Sequence, residues 1–206
     1  MFNVCPGCGI YSVDKTVDPA GPFAVCAHCG HKHSFVQLPL FLITGASGTG
    51  KTAVCLELAS RLNECVSLEC DILWQPEFSS PKDDYRRFRE SWLRVAKNIN
   101  QAGRPTVLCG SAMPESYNRC VERRYFGPIR TLALICQADV LIQRLKDRPD
   151  WRQASSEAFI ARMLEFNCWF IDHAQHPHFS MTLLDTSHLT PVQAGEQVAG
   201  WIRSDL

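Results

Sequence analysis

The chain has 206 residues, 46% of them hydrophobic and 20% charged, enough for one good core with a small appendage and too apolar for a disordered majority. Its 21 basic and 21 acidic residues cancel, so no global field draws the protein to nucleic acid or an anionic membrane. No run approaches the roughly 18 apolar residues of a membrane span, and Met1-Phe2-Asn3-Val4-Cys5-Pro6 lacks the basic-then-apolar order of a secretory leader. Eleven cysteines, mostly in apolar stretches, fit a reducing setting, so a cytoplasmic protein is expected.

Cys5-Pro6-Gly7-Cys8 and Cys26-Ala27-His28-Cys29 are two C-x₂-C pairs, each followed by glycine. Each pair makes a tight knuckle presenting two thiolates, and four such sulfurs close a tetrahedral Zn²⁺ shell with no position left for catalysis. Residues 1–37 are too few to fold by burial alone, whereas metal binding supplies about 10 kcal/mol or more of folding free energy. A zinc ribbon with Cys5, Cys8, Cys26 and Cys29 as structural ligands is expected, a redox dithiol pair being the competing reading. His28, His31 and His33 read as neighbours of the knuckles. Lys15 and Lys32 stand against Asp14 and Asp18, which is no basic footprint, and Phe2, Tyr11, Phe23 and Phe35 read as core rather than as a stacking face.

After Gln37-Leu38-Pro39 apolar strands alternate with helices, the pattern of a parallel sheet covered on both faces. A strand at 39–44 runs into Gly45-Ala46-Ser47-Gly48-Thr49-Gly50-Lys51-Thr52, the phosphate-gripping loop G-x-x-x-x-G-K-[ST], and a helix at 51–63 follows. The glycines let backbone N–H groups turn inward around a polyphosphate, Lys51 reaches the β- and γ-phosphates, and Thr52 offers its hydroxyl to Mg²⁺. The cofactor-binding set is therefore Gly45, Ser47, Gly48, Thr49, Gly50, Lys51 and Thr52, for ATP and Mg²⁺.

A strand at 65–70 ends in Glu69-Cys70-Asp71. Asp71, just past the strand, is the leading catalytic carboxylate, with Glu69 in reserve and helix capping as the plainer role. A helix at 82–102 opens on the charged run Lys82-Asp83-Asp84 and carries Arg86, Arg87 and Arg89, one of which is expected at the acceptor and the others in solvent; Trp74, Tyr85, Phe88 and Trp92 are either a flat pocket or core. Strands at 105–110 and 130–136 flank a helix at 115–121, where Arg119, Arg123 and Arg124 are further anion candidates. On the helix at 138–148, Arg144, Arg148 and Arg152 recur at i, i+4 and i+8, and Pro149 breaks the series; guanidinium forks there could close over a triphosphate. A helix at 155–174, a strand at 181–185 and a helix at 190–204 complete the chain, and His173, His176 and His178 read as a polar helix end rather than a metal site.

No guanine-reading Asn-Lys-x-Asp occurs, and neither Val107-Leu108-Cys109-Gly110 nor Leu134-Ile135-Cys136 ends in the Asp-Glu pair of motor-type ATPases. Residues 39–206 resemble the small P-loop kinases, the group of nucleoside and nucleotide kinases, shikimate kinase and chloramphenicol phosphotransferase. The resemblance is carried by Gly45 to Thr52, Leu68-Glu69-Cys70-Asp71, Arg144-x₃-Arg148-x₃-Arg152 and Leu184-Asp185-Thr186-Ser187. It implies an α/β P-loop NTPase three-layer sandwich over 38–206, with a five-stranded parallel sheet ordered 2-3-1-4-5, the acceptor over the strand ends and a mobile lid. It further implies Lys51, Asp71, Arg144 and Arg148 as catalytic residues, Arg152 and Thr186 at the nucleotide, and ATP-dependent phosphoryl transfer to a small molecule such as a nucleoside or nucleotide. The amino-terminal ribbon departs from usual members. Two other readings stay open: a polynucleotide end kinase or ATPase whose ribbon grips nucleic acid, for which charge gives no support, and a nucleotide-sensing interaction module without catalysis. The sequence sets no oligomeric state.

Overall fold

The structure, a computed structural model, describes residues 3–78, 85–149, 154–176 and 179–206. Phe2, Lys82, Asp83, Asp84, Arg152 and His178, all named above, lie outside the described residues. The amino-terminal segment forms a three-stranded antiparallel sheet of β1 (Thr16–Asp18), β2 (Phe23–Val25) and β3 (Lys32–Ser34).

β4 (Leu40–Gly45) is buried along its whole length, as its unbroken apolar run requires of a central parallel strand. It pairs with β6 (Thr106–Cys109) on one side and β7 (Ile129–Ile135) on the other. β5 (Val66–Glu69) lies beyond β6, and β10 (Thr182–Asp185) beyond β7. Counted along the chain, this five-stranded parallel sheet has the expected order 2-3-1-4-5.

Strand alternation sorts the β4 side chains between two layers. Phe41 and Ile43 join Leu58 of α1 (Lys51–Arg61) and Val198 and Ile202 of α6 (Pro191–Ser204). Leu40 and Leu42 join Trp92 and Leu93 of α2 (Arg86–Asn100) and Tyr117 of α3 (Pro114–Asn118). α5 (Glu157–Asp172) lays Phe170 against Ala133 of β7, and α4 (Ala138–Lys146) packs Leu141 and Leu145 against Ala46 beyond the strand ends. α6 starts on a capping box of Thr190 and Gln193 with Pro191 in its first turn. It approaches α1 so closely that a Cβ on Gly195 would fall 2.5 Å from Glu57 Cβ.

The ribbon docks on the far end of α2, away from the carboxyl ends of the strands. Ala24 and Phe35 share one buried cluster with Leu40, Trp92 and Tyr125, so the small sheet extends the core of the body. Lys97, 1% exposed, donates to Glu122 Oε2 at 2.6 Å and to Asn3 Oδ1 at 2.9 Å. Gln101 exchanges hydrogen bonds with both backbone groups of Val36, and the Arg124 guanidinium donates to the Val13 carbonyl.

Strands and helices after residue 38 appear where expected, with shifted ends. α4 stops at Lys146, because Arg148 precedes Pro149 and is steered out of helical geometry. Arg144 and Arg148 therefore do not share one helix face. A hairpin of β8 (Gln175–His176) and β9 (Phe179–Ser180) follows α5 and was not foreseen, since two-residue strands show no periodicity. Among the described residues no helix is long and apolar enough to cross a membrane.

Candidate active site

β4 ends in the glycine loop, and α1 begins at its close. Gly45, with φ 143°, permits what no other residue would: a Cβ there would lie 2.3 Å from the Leu134 carbonyl oxygen. Gly50, left-handed at φ 99°, caps α1 and has no side chain to occupy the first-turn amides, which leaves the positive end of the helix to an anion. Thr49 is fully buried, its hydroxyl donating to the Ala46 carbonyl at 2.9 Å, so only its backbone faces the loop interior.

Lys51 Nζ donates to the Gly45 and Ala46 carbonyls, each at 2.8 Å. Burial pushes its ammonium down to about 8; the Asp71 charge works against that and the Arg148 charge with it. Thr52 Oγ1 donates to Glu69 Oε1 at 2.5 Å. This alcohol and carboxylate are hard oxygen donors of the kind Mg²⁺ takes, and they make Glu69, held in reserve from the sequence, the carboxylate beside Thr52. Arg148 reaches the loop from the turn after α4, Nη1 donating to Ser47 Oγ at 2.7 Å.

Arg144 borders a cavity that Gly48, Thr49 and Gly50 of the phosphate loop also line. Its guanidinium donates to Thr186 Oγ1 at 3.1 Å and to the Thr186 carbonyl at 2.8 Å, and Thr186 Oγ1 in turn donates to the Thr49 carbonyl at 2.9 Å. This cavity, of 280 Å³, runs from Gly48 and Gly50 to Thr190 and Pro191. Asp185 Oδ1 accepts from the Ser187 backbone at 2.8 Å and fixes that turn.

On the other side of the loop lies a larger cavity of 830 Å³. Asp71, on the turn after β5, and Ser111, after β6, face it, with Arg89 and Tyr117. Arg89 is 7% exposed, and Tyr117 is buried so that its phenol stays well above its usual pKa despite the Arg89 charge. Its walls are aromatic: Trp74 meets Phe88 edge-on at 5.2 Å and Tyr85 at 5.9 Å, and Phe159 and Phe166 come in from α5. Tyr85 adopts left-handed φ 55°, unfavourable for a bulky side chain, at the start of α2. Trp92 is core instead, 1% exposed with its indole donating to the Cys70 carbonyl at 3.1 Å.

The ribbon cysteines form a second centre. Cys5 and Cys29 sulfurs lie 3.6 Å apart, Cys8 and Cys26 sulfurs 3.9 Å, and all four fall within 4.8 Å of one another. A tetrahedron with Zn–S near 2.3 Å has edges of about 3.8 Å, so the donor set fits Zn²⁺. The two knuckles repeat one backbone pattern: Gly9 and Gly30 are left-handed, and their amides donate to the Cys5 and Cys26 carbonyls. No histidine joins the cluster among the described residues.

Several arginines named from the sequence serve elsewhere. Arg119 pairs with Glu115 at 2.7 Å on the surface, Arg123 donates to the Phe126 carbonyl at 2.9 Å, and Arg124 holds the ribbon. His173 stacks on Trp169 at 4.7 Å and His176 on Phe179 at 4.5 Å, as part of an aromatic ladder. Sequence reasoning missed Ser111, Phe159, Phe166 and Met163. Met163 Sδ accepts from the Ser47 N–H at 3.4 Å, and neither a lone methionine nor two helix aromatics announces such a place.

The matches to known proteins agree with this geometry. A family model described as an AAA domain matches residues 42–162, more than half of the chain. No curated protein sequence matches. A sugar kinase from Janibacter sp. HTCC2649 superposes with TM-score 0.58 at 20% identity, covering 82% of this chain and 95% of its own. A deoxyadenosine kinase from M. mycoides with bound dATP gives 0.52 at 15% identity, covering 80% and 99%. Shikimate kinase from Acinetobacter baumannii in complex with shikimate gives 0.52 at 15% identity, covering 83% and 96%. At these identities the likeness is one of fold, that of P-loop kinases. With its phosphate loop inside the matched segment, the chain belongs to this AAA-domain family of P-loop proteins.

Proposed function

We propose that the protein is an ATP- and Mg²⁺-dependent kinase that phosphorylates a small molecule, with a nucleoside or nucleotide as acceptor. One observation carries this reading: the phosphate loop with its half-buried lysine lies beside an 830 Å³ cavity that combines aromatic walls with Asp71 and Arg89. Flat side chains suit a base, and Arg89 suits an acid or phosphate group on the acceptor.

The roles follow from position. Loop amides from Ser47 to Thr52 and the Lys51 ammonium hold the phosphates, while Arg144 and Thr186 border the base. Thr52 and Glu69 would hold Mg²⁺, which would offset the charge of the phosphates. Asp71 takes the proton of the acceptor hydroxyl as its oxygen bonds to the γ-phosphorus and the bond to the β-bridging oxygen breaks; the charge left on the diphosphate stays against Lys51. Arg148, beside Ser47, meets the charge that spreads over the migrating group. We assign Arg152 no place.

Residues 1–37 are read as a structural zinc ribbon and 38–206 as the kinase body. Contacts with the far end of α2 leave the ribbon remote from the acceptor cavity, which weighs against its gripping a strand for phosphorylation. Unpaired cysteines and the thiolate cluster suit a reducing, cytoplasmic setting.

A panel of nucleosides, nucleoside monophosphates, sugars and hydroxy acids, screened by ATP consumption, tests the reading. Nucleosides or their monophosphates should accelerate consumption, and Phe88→Ala should raise the acceptor KM about tenfold while leaving the ATP KM in place. Acceleration by sugars alone, or by nothing in the panel, would sink it.

A further inference from the structure

Helix α5 touches both halves of the site. Phe159 and Phe166 line the acceptor cavity, and Met163 between them lays its thioether on the phosphate loop, Sδ 3.4 Å from Ser47 N. Positions i, i+4 and i+7 form one stripe of a helix, so a single face of α5 covers the loop tip and the cavity together. Ser47 is also the residue whose hydroxyl takes the Arg148 guanidinium. The loop tip thus presents a backbone donor and a guanidinium, and a soft apolar side chain sits on that donor.

We propose that Met163 is a gate on the nucleotide site: its sulfur stands on the Ser47 N–H in place of a phosphate oxygen, and a triphosphate must push it aside to seat fully. The inference rests on the nucleotide reading given above. A thioether is a weak acceptor and a phosphate oxygen an ionised, strong one, so the exchange favours the triphosphate once it arrives. Methionine suits this task, being unbranched and able to swing without moving its helix far. Leucine would fill the same space with no acceptor atom, so the Ser47 amide would gain a partner only from the ligand.

The test titrates full-length wild type, Met163→Leu and Met163→Ala with Mg²⁺ and a non-hydrolysable ATP analogue by calorimetry. Met163→Leu should bind about two- to fivefold more tightly, through loss of the competing hydrogen bond. Met163→Ala, which also removes bulk, should gain more, about three- to tenfold. Unchanged or weaker affinity in Met163→Leu, with an unaltered Tm, overturns the gate. Wild-type protein that takes up no analogue instead overturns the nucleotide reading beneath it.

Discussion

Lys51 couples the site to pH. Burial holds its folded-state pKa down to about 8, against an ordinary value of 10.5. Between those values the unfolded chain binds more protons than the folded one, so this group makes stability rise with pH across that window and gives no such dependence below it. Catalysis should run the opposite way, because the neutral amine cannot attract phosphate. We expect kcat/KM for ATP to fall above about pH 8, while kcat, set in the complex where phosphates favour the charged form, persists to higher pH. A profile of kcat/KM that stays flat to about pH 10 would contradict this role for Lys51. Arg144 and Arg148 should separate in the same kind of measurement. Arg148→Ala, at Ser47, should lower kcat about a hundredfold or more. Arg144→Ala, at Thr186, should chiefly raise the ATP KM; the reverse pattern would exchange their roles. Residues 45–52 were legible as a loop because the motif is local. The contacts of Arg144 were not, because its partners Thr186 and Ser187 lie 42 and 43 positions away and no helical spacing reveals them.

Helix α2 joins elements that the sequence left separate. Its first turns carry Phe88 and Arg89 to the 830 Å³ cavity, and its last carry Lys97 and Gln101 to the amino-terminal segment. The four-cysteine cluster was readable, since two C-x₂-C-G knuckles announce their own turns. Its seat was not, because the Asn3–Lys97 contact spans 94 positions and a buried lysine looks like any other lysine in the sequence. Lys97 and Glu122 are each 1% exposed, so truncating Lys97 leaves the buried Glu122 carboxylate with only the half-exposed Arg94, at 3.2 Å, to offset its charge. Lys97→Ala should cost about 3–5 kcal/mol in urea unfolding, and a loss within experimental error would show the pair to be unimportant. The apolar cluster shared by Ala24, Phe35 and Trp92 makes a further demand. If zinc fills the four-cysteine cluster as proposed, its chelation should lower the Tm of the whole protein in one transition, whereas an early transition of the amino-terminal segment beside an unshifted main one would contradict a common core.

The whole molecule is arranged around one edge of one sheet. Strand order 2-3-1-4-5 puts β4 at the centre, with the glycine loop at its carboxyl end, the 280 Å³ cavity toward α6 and the 830 Å³ cavity toward α2 and α5. That edge is where open α/β sheets bind ligands, and the ribbon occupies the opposite end of α2. Alternating apolar segments made this architecture legible, and the acidic turn after β5 borders the larger cavity. Asp71, Trp74, Tyr85, Phe88 and Arg89 were candidates for this cavity from the sequence, but Ser111, Phe159 and Phe166 were not legible, because they come from elements that only the fold brings together there. Transfer of a γ-phosphoryl label from ATP tests the joint claim on loop and cavity most directly. With a nucleoside or nucleoside monophosphate present, wild-type protein should place the label on the acceptor in step with ADP release, and Lys51→Ala should place none. Label appearing only as inorganic phosphate, or transfer undiminished in Lys51→Ala, would contradict the account.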